Sequence, residues 1–65
     1  MSLYDYKFSQ TDTLREAPFY ALVMAAMRRA DTHNASKLRE AFPDTWHELD
    51  RRYNAPGGQL PEDAA

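Results

Sequence analysis

The chain has 65 residues, 8 Lys and Arg against 10 Asp and Glu, a formal net charge of −2 and no cysteine. A domain this short buries only about 60 % of its unfolded surface, and disulfides and cysteine–zinc sites are excluded as staples. What remains is an unusually good core or a second subunit. The charge balance is not that of a nucleic-acid-binding domain, which is strongly basic. No apolar run reaches the roughly 20 residues that span a bilayer. Met1-Ser2-Leu3-Tyr4-Asp5 lacks a basic stretch followed by an apolar one, so it does not read as a signal peptide. The expectation is a cytosolic protein with no membrane partner.

Residues 1–12 read as an extended aromatic arm. Tyr4, Tyr6 and Phe8 alternate with Asp5, Lys7 and Ser9, which is the period of a strand. No second strand follows, so the arm either straps across the helices or pairs with a strand of another chain. The strap is favoured.

Residues 13–54 read as the helical domain. Thr13-Leu14-Arg15-Glu16 has the form of a capping box, and Pro18 suits a first helical turn. The first long helix is therefore expected to start between Leu14 and Pro18 and to run to Ala30. Arg28 and Arg29 complement its C-terminal dipole. Asp31 to Asn34 reads as a polar connection, with Asn34 capping a second helix over Ala35 to Phe42. Pro43 interrupts, and Asp44 caps a third helix from Thr45 to Tyr53. On one helical wheel Ala35, Leu38, Phe42, Trp46, Leu49 and Tyr53 share a stripe. One kinked helix is thus an alternative, but the residue before proline avoids α conformation. Two short helices with a tight joint are preferred. Asn54 suits a left-handed C-terminal position, and Ala55-Pro56-Gly57-Gly58 ends the helix. Residues 55–65 read as a flexible acidic tail. The fold class expected is all-α: a small two- or three-helix hairpin or bundle with an extended arm.

The segment Ala17 to Met27 is apolar at every position. Phe19, Leu22, Val23, Ala26, Met27 and Ala30 form one face, whose mate is the Leu38–Tyr53 stripe. Tyr20 and Met24 lie at its edge, and Ala21 and Ala25 point away. A helix that is apolar all round is normally buried all round, and the chain has few residues left to cover it. Tyr20, Ala21, Met24, Ala25 and Arg28, with Tyr4, Tyr6 and Phe8 of the arm beside them, are therefore the candidate interface for a second subunit or a target protein. The opposing reading is coverage by the arm within one chain.

No residue set suggests catalysis, a metal or a cofactor. His33 lies in a polar turn. His47 and Asp44 are one turn apart, but two ligands do not make a site. Gly57-Gly58 follows a helix instead of opening one. Two further readings come from charge. Thr45, His47, Arg51 and Arg52 invite comparison with a recognition helix, with Arg28, Arg29, Lys37 and Arg39 as phosphate contacts. Yet Glu48 is placed to pair with Arg52 at i,i+4, as on a solvated face. Conversely Glu40, Asp44 and Glu48 form an acidic row of the kind a nucleic-acid mimic presents.

Phe19-Tyr20-Ala21-Leu22-Val23-Met24-Ala25-Ala26-Met27-Arg28-Arg29-Ala30-Asp31 is followed by Asn34, Lys37-Leu38, Ala41-Phe42-Pro43, Trp46, Glu48-Leu49 and Arg52-Tyr53-Asn54-Ala55-Pro56-Gly57-Gly58. Over about residues 17 to 58 this pattern resembles a group of short uncharacterised proteins encoded by bacteriophages and prophages. The resemblance carries over no functional residue. It implies a bacterial cytoplasm and an accessory role in which a small protein binds and disables host machinery, including defence systems.

Overall fold

The computed structural model describes residues 2–64. Met1 of the expected arm and Ala65 of the expected tail lie outside them. Among the described residues the chain forms five α-helices and two 3₁₀ turns, with no strand.

Helix α1, Leu3–Ser9, replaces the extended arm. The Asp5 N–H donates to Ser2 Oγ at 3.1 Å, an N-cap that satisfies a donor the helix cannot. Asp5 in the first turn and Lys7 in the last oppose the helix dipole favourably. The alternation of aromatics also has a helical reading: Tyr4 and Phe8 are one turn apart, and their rings stand 5.9 Å centre to centre. Tyr6 is left on the other side.

Helix α2, Asp12–Glu16, is separate from α3, Phe19–Arg29, so the first long helix does not begin at Leu14. Pro18 is the reason. It drives Ala17 out of α conformation, to φ −71° and ψ 139°, and itself occupies the N-cap of α3 at φ −59° and ψ 147°. Thr13 consequently lies inside α2 and caps nothing.

Helix α4, Thr32–Ala41, starts earlier than expected because Asp31, not Asn34, is its cap: the Asn34 N–H donates to Asp31 Oδ1 at 2.8 Å. The chain breaks at Phe42, with φ −131° and ψ 64°, and Pro43 opens helix α5, Pro43–Tyr53. Two helices with a tight joint are thus observed. Asp44 sits in the first turn of α5 and does not cap it.

Asn54 is not left-handed (φ −91°, ψ 0°). The positive φ angles fall instead on Gly57, at 62°, and Gly58, at 70°, where the absent side chain removes the steric cost. The chain can then double back through the 3₁₀ turns Pro56–Gly58 and Pro61–Ala64. The expected flexible tail is therefore folded onto α5 as far as Ala64, with Leu60 only 7 % exposed.

Helices α3 and α4 both pack on α5. Val23 and Met27 are buried, and Leu22, Leu38, Phe42, Trp46 and Leu49 are half-buried. The Phe19 ring meets Phe42 edge-on at 6.1 Å, and the Arg39 guanidinium lies 5.6 Å from the Trp46 ring centre. The two stripes read from the sequence do face each other. Their ends do not close: Phe19 is 60 % and Tyr53 75 % exposed.

Candidate functional site

The circumference of α3 is divided into sectors by what surrounds it. Val23 and Met27 face inward. On one flank Tyr20 and Met24 border a groove completed by Asp44, Thr45 and Glu48 of α5. Arg28 continues this flank into a second groove of about 330 Å³, with Met27, Trp46, Leu49, Asp50 and Tyr53. That volume lies at the small end of ligand sites and suits an inserted side chain. On the opposite flank Ala26 and Arg29 border a groove with Tyr4 and Phe8 of α1 and Leu14 of α2. Between the flanks lie Ala21 and Ala25, both exposed.

Of the eight candidate interface residues, the structure therefore places Tyr20, Met24 and Arg28 along the α3–α5 grooves. Ala21 and Ala25 form a bare strip beside them. Tyr4 and Phe8 sit on the far flank instead of across Ala21 and Met24. Tyr6 lies 62 % exposed on the outer side of α1. The aromatic segment does not cover the strip, although it stays on the same helix.

Among the described residues seven large hydrophobic side chains are more than half exposed: Leu3, Tyr4, Tyr6, Phe8, Phe19, Tyr20 and Tyr53. Leu3 was not anticipated as a candidate, because an arm made its exposure unremarkable.

The charge-based readings are rearranged. Arg51 pairs with Glu62 at 2.9 Å. Arg52 holds Asp63 through two bonds of 2.6 and 3.0 Å, Glu48 at 3.3 Å and the Gly58 carbonyl at 2.9 Å. Hydrogen bonding to Arg52 first, and to the Leu60 amide second, lowers the Asp63 carboxyl to about 2. Arg51 does the same, less strongly, to Glu62. The expected recognition helix thus has both arginines engaged by carboxylates. The other cations are dispersed: Arg28 faces the α5 groove, Arg29 and Lys37 share another, and Arg39 lies on Trp46. The acidic row is cut at Phe42, with Glu40 on α4 and only Asp44 and Glu48 on α5. His33 and His47 are exposed. Among the described residues no three His, Cys, Asp or Glu side chains are grouped to hold a metal ion. No helix among them is long and apolar enough to cross a membrane.

No protein-family model, curated protein or solved structure matches the chain.

Proposed function

We propose that this chain is a small non-catalytic helical module that acts by protein contact and associates with itself through the bare sector of α3. The carrying observation is that Ala21 and Ala25 lie exposed on α3, in a chain whose described residues include seven large hydrophobics more than half exposed. Large apolar side chains left exposed in such number favour a contact role. Engagement of Arg51 by Glu62 and of Arg52 by Asp63 and Glu48 speaks against the nucleic-acid alternative. The division of Glu40 from Asp44 and Glu48 speaks against acidic mimicry. The resemblance to short phage-encoded proteins favours a bacterial cytoplasm as the setting and a host protein as an additional target.

Light scattering tests the reading. The wild-type chain is expected above its 7.5 kDa monomer mass. Ala25→Glu should return it to that mass with helical circular dichroism unchanged. A wild-type monomer at all concentrations, or an Ala25→Glu variant of unaltered mass, would overturn the self-association.

A further inference from the structure

Two consecutive acids of segment 59–64 meet two consecutive arginines of α5 in register. Arg51 Nη1 and Nη2 donate to the two carboxylate oxygens of Glu62 at 2.9 and 3.1 Å. Arg52 Nη1 and Nη2 donate to those of Asp63 at 2.6 and 3.0 Å. Each is the planar, two-bond fork by which arginine recognises a carboxylate. The segment itself is a turn closed on both sides: the Leu60 N–H donates to Asp63 Oδ2, and the Asp63 N–H to the Leu60 carbonyl, both at 3.0 Å. Arg52 is also held by Glu48, one turn back on α5, and by the Gly58 carbonyl. Its guanidinium is thus aimed by groups outside the segment. Asp50 borders the Arg28 groove.

The attachment is light. The four side chains of the two forks are 31 to 55 % exposed, and ion pairs so open to water hold weakly. Within residues 59–64 only Leu60 is buried. A segment held in this way opens locally without unfolding what it rests on.

We infer that the end of α5 is a docking site for an acidic peptide, a leucine with acids two and three residues later, and that residues 60–63 occupy it as a built-in competitor. The leucine decides the class of partner. A nucleic acid offers phosphates to the same forks, but no aliphatic side chain for the place that Leu60 takes. The short tether gives the chain's own segment an effective concentration in about the millimolar range. A partner therefore enters by presenting the same elements together with further contacts. The site uses none of Tyr20, Ala21, Met24 or Ala25, so it stands or falls apart from the self-association through α3.

The test is made on the full chain with a fluorescent synthetic peptide of the sequence of residues 57–64, its binding read by polarisation. E62Q/D63N keeps both arginines and Leu60 but weakens the competitor. It should bind the peptide about five- to tenfold more tightly than the wild type, in which the site is mostly filled. Adding R51A/R52A to that variant should abolish binding. A second measurement needs no variant: unlabelled peptide at millimolar concentration, added to isotope-labelled wild type, should shift the Leu60 amide resonance and speed its exchange. Equal affinity of wild type and E62Q/D63N, binding that survives R51A/R52A, or a Leu60 amide that does not move would each overturn the inference. So would a single-stranded oligonucleotide that binds E62Q/D63N where the peptide does not, since the forks would then serve phosphate. Ala25→Glu should leave peptide binding unchanged whatever it does to the mass, which separates this site from the α3 face.

Discussion

Met27 is 6 % exposed and Val23 8 %, and Met27 borders a groove with Trp46 and Leu49 of α5. Removing most of the Met27 side chain leaves a cavity that the half-buried Trp46 and Leu49 only partly refill. Met27→Ala is expected to cost about 2–3 kcal/mol, a large share of the few kcal/mol available to a chain of this length. Tyr53, 75 % exposed, supplies the contrast: Tyr53→Ala should change stability by less than about 0.5 kcal/mol. Urea unfolding followed by Trp46 fluorescence distinguishes the two. Equal effects would mean that burial is not where the structure puts it.

At the scale of elements, the C-terminal segment is held to α5 by chemistry that pH can remove. Asp63 accepts from Arg52 and from the Leu60 N–H at 3.0 Å, and its carboxyl is lowered to about 2 from an ordinary value of about 3.9. A lowered acid stabilises the folded state above its unfolded value, and the contribution disappears as pH falls through the folded one. The clasp should therefore be intact from neutral pH to about pH 4 and loosen between about pH 4 and 2. Arg51 and Glu62 contribute in the same direction, and Glu48 keeps part of the charge on Arg52 occupied. The Leu60 amide resonance and its exchange rate report the change. An amide that loses protection near neutral pH would show that Asp63 is not the lock.

The whole molecule is long and thin. It measures 42 × 28 × 17 Å with a radius of gyration of 13.8 Å, against about 11 Å for a compact chain of this length. Three helices too short to be stable alone, α3, α4 and α5, share one narrow seam and leave much of their apolar surface outside it. If a second copy covers part of that surface, folding is linked to association. The melting temperature should then rise with protein concentration for the wild type and be flat for Ala25→Glu. A wild-type melting temperature independent of concentration would mean that the thin seam suffices.

Legibility followed the range of the forces involved. Composition and patterning determined the all-helical class, the facing stripes of α3 and α4–α5, the break at Pro43 and the Glu48–Arg52 pair. These depend on residues within a turn or two, or on a steric rule attached to proline. The spacing of Tyr4, Tyr6 and Phe8 was compatible with two periods, and a cap from Ser2 chose the helix. The same steric rule that separates α4 from α5 also applies at Ala17–Pro18, where capping and apolar signals read together suggested a continuous start. Only the tertiary structure decided that residues 56–64 fold back: Arg51 and Arg52 meet Glu62 and Asp63 eleven residues later, and a buried Leu60 has no local signature in so polar a stretch. Likewise the surplus of apolar surface on the first long helix was visible in its residues, but which sector stays bare was not. That depended on α1 bordering a groove at Ala26 and Arg29 while α5 took the Met24 side, an outcome of which neighbours compete for one helix in space.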